Sequence, residues 1–167
     1  MLVTSKEANK LLHELEEEHT YLLTNESQSN TFLAAVGEDV ESCRPNYDYE
    51  KVQDEIKTVE NKIIKVKHAI NKFNAVTVVD EFNKTIDEML VYIPQLTRHI
   101  QKLNSMQNRL PKEREDSNMR STIIDYRYVN YDIDKVKKDY KEKVEELHKA
   151  QICLDTVNVT KKFEIEL

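Results

Sequence analysis

The chain has 167 residues, with 34% charged and 39% hydrophobic side chains, 1 Gly, 3 Pro and a formal charge of −6. So few turn-forming residues disfavour an extended β architecture and favour long amphipathic helices in one domain spanning 1–167. The acidic balance excludes a general binder of duplex nucleic acid, whose affinity comes from cations displaced around phosphates. No run approaches the ~18 apolar residues of a membrane helix and the first residues lack a signal-peptide pattern, so a cytoplasmic protein with no membrane partner is expected.

The first expected helix covers 4–23, with Ala8, Leu12, Leu15, His19 and Leu22 on one stripe. Residues 25–46 follow as an irregular connection holding Gly37 and the run Cys43, Arg44, Pro45. Cys43 and Cys153 are isolated, which predicts reduced thiols.

A second helix is expected from Asp48 to about Asn74. Its residues Tyr49, Val52, Ile56, Val59, Ile63, Val66, Ile70 and Phe73 alternate steps of three and four, an unbroken heptad seam. Asn71 and Asn74 at its end suit helix termination, or hydrogen bonding to the polar edges of a ligand.

A third helix opens on a capping box formed by Thr85 and Glu88 and carries Ile86, Met89, Ile93, Leu96, Ile100, Leu103 and Leu110. Pro94 lies inside it, which predicts a bend near Tyr92. A last helix starts at Asp132, with Val136, Tyr140, Val144, Leu147, Leu154 and Val157 near its buried face. The fold expected is all-α: an antiparallel long-helix bundle with coiled-coil-like seams, associating into a homo-oligomer, with a small β-hairpin or irregular extension.

That extension is placed at 111–131, where Ile124, Tyr126 and Tyr128 alternate with Asp125, Arg127 and Val129 in strand-like period two. It could pair with 25–46. Of the 6 arginines, Arg109, Arg114, Arg120 and Arg127 fall in or beside this stretch, together with Lys112 and Tyr131. Guanidinium forks bind phosphate oxygens and tyrosine rings stack on flat heterocycles, so the set is the candidate site for a small anionic, nucleotide-type ligand. The same composition also suits a subunit contact or a solvated loop laced by ion pairs, since Glu113, Glu115, Asp116 and Asp125 share the window.

No cofactor is implied. Single Gly37 cannot supply a glycine-rich phosphate loop or a nucleophile elbow, so no enzyme is expected. The pairs Glu16/His19 and Glu145/His148 have the spacing used by helical di-metal oxidoreductases, but that design also needs an inward Glu from each of two further helices, which the apolar seams do not provide.

Several stretches carry a resemblance: Ile-Lys-Val-Lys-His-Ala-Ile-Asn-Lys-Phe-Asn at 64–74, Thr-Ile-Asp-Glu-Met-Leu-Val-Tyr-Ile-Pro-Gln-Leu at 85–96, Arg-Leu-Pro-Lys-Glu-Arg at 109–114, Ile-Asp-Tyr-Arg-Tyr-Val-Asn-Tyr-Asp at 124–132 and Leu-Asp-Thr-Val-Asn-Val-Thr at 154–160. Over nearly its whole length the chain resembles an uncharacterised family of small helical bacterial proteins sometimes labelled septicolysin. The resemblance implies a helical, oligomeric fold and no established activity. The pore-forming sense of that label calls for a larger, secreted, β-rich protein, which this sequence does not resemble.

These readings lead to three expectations. The first is a non-catalytic homo-oligomer that captures a nucleotide-derived ligand, in its sharpest form a sponge for an immune signalling nucleotide of the kind phages use against host defence. The second is a scaffolding oligomer that binds a protein partner, and the third is the di-metal oxidoreductase.

Overall fold

The computed structural model describes residues 1–115 and 124–167. The protein is mostly helical, with small antiparallel strand pairs. Its residues gather into two compact units, Met1–Val76 with Val157–Leu167, and Thr77–Thr156.

In the first unit, strand β1 (Leu2–Thr4) leads directly into helix α1 (Ser5–Ser29). Thr4 ends one and caps the other: its hydroxyl accepts from the Glu7 amide, and the Glu7 carboxylate accepts from the Thr4 amide at 2.8 Å. This reciprocal box satisfies two of the donors that a helix start leaves unpaired. After a connection containing the short helix α2 (Val40–Cys43), helix α3 runs Tyr49–Val76.

Helices α1 and α3 pack in opposite directions, because partner numbers fall along α3 as they rise along α1. Glu16 pairs with Lys67, His19 with Glu60, and Glu26 accepts from Gln53. Between them Ala8, Leu15, Val59, Val66 and Ile70 form a core that also takes in Val3 and Ile165. Strand β6 (Lys162–Glu164) pairs with β1, Val3 opposite Phe163, and the Ile165 amide donates to the Met1 carbonyl at 2.9 Å. Phe163 stacks on Phe73 of α3, ring centroids 4.4 Å apart.

In the second unit, β2 (Val78–Val79) and β3 (Lys84–Thr85) form a minimal ladder around a 3-10 turn that ends on Asn83 in the left-handed conformation, which asparagine tolerates better than most residues. Thr85 then caps helix α4 (Ile86–Gln107) through a capping box with Glu88. The helix continues through Pro94. Strands β4 (Lys112–Glu115) and β5 (Asp125–Tyr128) pair with each other, and helix α5 (Ile133–Thr160) follows, its residues from Val157 onward belonging to the first unit. Tyr92 of α4 donates to Glu146 of α5, and the Tyr131 hydroxyl donates to the Met106 carbonyl at 2.8 Å, so these helices are also opposed in direction. Val79, Ile86, Met89, Leu96, Leu103, Val136, Ala150 and Leu154 are buried.

Three expectations change. The first helix extends six residues beyond Leu23, because Glu26 in its last turns accepts hydrogen bonds from Tyr47 and Gln53 and so ties the polar end to the chain returning into α3. The stretch 111–131 pairs within itself rather than with 25–46, whose only regular element after α1 is α2. Both outer ends of the middle seams are open: Tyr49 is 63% and Leu110 61% exposed.

Candidate ligand-binding face

The β4–β5 register decides which side chains share a surface. Lys112 lies opposite Tyr128, Glu113 opposite Arg127, Arg114 opposite Tyr126 and Glu115 opposite Asp125. Side chains alternate along a strand, and directly opposed residues point the same way. One face therefore carries Lys112, Arg114, Tyr126 and Tyr128; the other carries Glu113, Glu115, Asp125 and Arg127. Alternation has sorted a mixed charge run into a cation–aromatic side and a mainly acidic side.

The contacts agree with that sorting. The Lys112 ammonium lies 4.0 Å from the centre of the Tyr126 ring and 5.5 Å from that of Tyr128. A cation over the negative face of a ring holds both groups in place while leaving ammonium protons for an acceptor. On the opposite side Arg127 Nε donates to a Glu115 carboxylate oxygen at 2.6 Å; this bond and the attraction of the guanidinium hold Glu115 below the usual carboxylate range and Arg127 above its ordinary value. Arg127 is thus committed to a neighbour, on the face away from the tyrosines.

The remaining expected ligand contacts are dispersed. Tyr131 uses its hydroxyl to latch the chain after β5 onto the end of α4. Arg109 is exposed just past α4, and Arg120 lies outside the described residues. Asn71 and Asn74 belong to α3 in the other unit; Asn71 is exposed, whereas the Asn74 side-chain oxygen is buried and meets no hydrogen-bond donor.

A cleft not anticipated from sequence opens in the first unit between α3 and β6, with a volume of about 550 Å³. Lys65, His68 and Lys72 of α3 form one wall, Phe73 and Phe163 contribute apolar surface, and Glu164 and Glu166 stand on the strand side. The Lys65, His68 and Lys72 row on α3 gains a facing wall only because Phe163 arrives from 90 residues away.

Glu16 pairs with Lys67 and His19 with Glu60, and among the described residues no three His, Cys, Asp or Glu side chains are grouped to hold a metal ion. Burial, with the nearby Glu81, pushes the Cys153 thiol up, which works against the thiolate a nucleophile needs.

The chain is similar to a solved structure described as a functionally unknown conserved protein from Corynebacterium diphtheriae, with a TM-score of 0.59 and 16% identity over 98% of this chain and 100% of that one. The likeness is one of fold. No protein-family model and no curated protein matches the chain. No helix of the described residues is long and apolar enough to cross a membrane.

Proposed function

We propose that this is a non-catalytic, homo-oligomeric binding protein of the cytoplasm, its long helices forming an antiparallel bundle with coiled-coil seams, that captures a small anionic, nucleotide-derived ligand on the β4–β5 hairpin. The observation that carries the reading is the shared face of Lys112, Arg114, Tyr126 and Tyr128. An ammonium and a guanidinium beside two phenol rings suit a ligand with phosphate oxygens and a flat base. A neighbouring copy's helix would close over this exposed face. Stoichiometric capture suits a site made of cations and rings, and sequestration of an immune signalling nucleotide, as in phage anti-defence, is the sharpest form of the reading.

Thermal unfolding of the full chain with mono-, di- and cyclic nucleotides, and with inorganic phosphate as control, tests it. Ligand at a hundred times its dissociation constant stabilises by about 2.7 kcal/mol, a shift of several degrees in Tm. The shift should vanish in Arg114→Ala and Tyr126→Ala, and the absence of a shift with every nucleotide overturns the reading.

A scaffolding oligomer with a protein partner is favoured by a different observation, the full exposure of Leu33 and Val36 in the connection after α1. Stable oligomers unaffected by nucleotides would support it.

A further inference from the structure

The α3–β6 cleft belongs to the unit that does not contain the hairpin, and what it offers a ligand is independent of the hairpin face. Lys65, His68 and Lys72 follow one another at steps of three and four, so they lie on one side of α3, with Lys65 and Lys72 about 10 Å apart along the axis. Phe73 and Phe163 stack with their planes 20° apart, giving a flat apolar surface to which Ala69 and Val76 add. On the strand side, Glu164 and Glu166 line the cleft on either side of the buried Ile165. Among the described residues, the side chains of Lys65, His68, Lys72, Glu164 and Glu166 have no hydrogen-bond or ion-pair partner.

Two unpaired walls of opposite sign around an aromatic surface restrict the ligand. Inorganic phosphate would meet the basic wall but gain nothing from the rings and be repelled by the carboxylates. A purely apolar molecule would strand both sets of charges. The occupant that uses all three surfaces is anionic at one end, flat in the middle and rich in N–H donors at the other. The volume lies within the ordinary range of small-molecule sites, about 300–1,000 Å³.

We infer that this cleft binds a purine mononucleotide, its phosphate on the Lys65–His68–Lys72 row, its base against Phe163 and its amino edge toward Glu164 and Glu166. No proton or bond is exchanged; the cleft is a binding site.

Isothermal titration of the full chain with AMP tests the assignment. AMP should bind, with adenosine and ribose 5-phosphate each weaker by about tenfold or more, because each lacks one of the recognised ends. Lys65→Gln and Lys72→Gln change exposed side chains that have no hydrogen-bond or ion-pair partner among the described residues, and each should weaken AMP by about tenfold. Glu166→Gln should narrow the preference for AMP over inosine monophosphate, which carries a carbonyl in place of the amino group. Arg114→Ala, on the hairpin, should leave AMP binding unchanged. Absence of AMP binding overturns the inference. So does AMP binding that survives both lysine variants but is lost in Arg114→Ala, a result that would leave the hairpin reading intact.

Discussion

At Tyr92 burial and charge act together. Burial first, and then its hydrogen bond to Glu146, push the phenol up to about 12, while bonds from Lys143 and Tyr92 hold Glu146 below the usual carboxylate range. The Lys143 ammonium reaches the same carboxylate at 2.6 Å, and Lys84 lies 5.2 Å from the centre of the Tyr92 ring. Both shifts favour one arrangement, a neutral phenol donating to an ionised carboxylate. The signs follow by linkage. The depressed Glu146 contributes stability that is complete above its ordinary value of 4.5 and is lost as pH falls further. The raised Tyr92 contributes stability that is complete below its ordinary value of 10.0 and is lost as pH rises toward about 12. Melting temperatures measured against pH should therefore drop at both ends, and Tyr92→Phe should flatten the alkaline drop while costing about 1 kcal/mol near neutrality. Equal alkaline slopes in the two proteins would remove Tyr92 from this role.

Among the elements, the helix starts depend on two threonines in equivalent roles. Thr85 Oγ1 accepts from the Glu88 amide at 3.2 Å, and the Glu88 carboxylate accepts from the Thr85 amide at 2.7 Å. Thr85→Ala should cost about 1 kcal/mol in urea unfolding, whereas Thr85→Ser, which keeps the acceptor, should cost clearly less. This cap was readable because all its parts lie within four residues, as was the middle seam, whose Ile56, Val59, Val66, Ile70 and Phe73 are buried. Period-two alternation at 124–129 likewise marked β5. The β1–β6 pair was not legible, because Val3 meets Phe163 across nearly the whole chain and three-residue strands have no periodicity to detect. The α1 extension was hidden for a related reason: its polar last turns are held by Tyr47 and Gln53 rather than by an apolar stripe. For the hairpin face, composition marked the cations and tyrosines, but only the register shows that Arg127 faces away from Tyr126 and that Tyr131 is a latch. The α3–β6 cleft was beyond sequence reasoning, since its walls come from opposite ends of the first unit.

For the molecule as a whole, exposed apolar side chains bear on the proposed self-association: Leu33 is 96% exposed, Leu90 and Ile152 are each about half exposed, and Val36 is fully exposed. Burial of such side chains between copies would supply the hydrophobic stabilisation that each monomer leaves unused. Sedimentation equilibrium should then report a species heavier than 19.7 kDa. Leu33 and Val36 make the cleaner test, because they lie in the connection between α1 and α2 and pack against nothing that an aspartate would disturb. If the copies meet there, Leu33→Asp with Val36→Asp should shift the protein to monomer with its helical circular dichroism unchanged. If the double variant still assembles, the copies meet elsewhere, and the α4 and α5 surfaces that carry Leu90 and Ile152 are the next to substitute. A wild-type chain that sediments as a monomer at micromolar concentration would refute self-association, and with it the idea that a neighbouring copy covers the hairpin face.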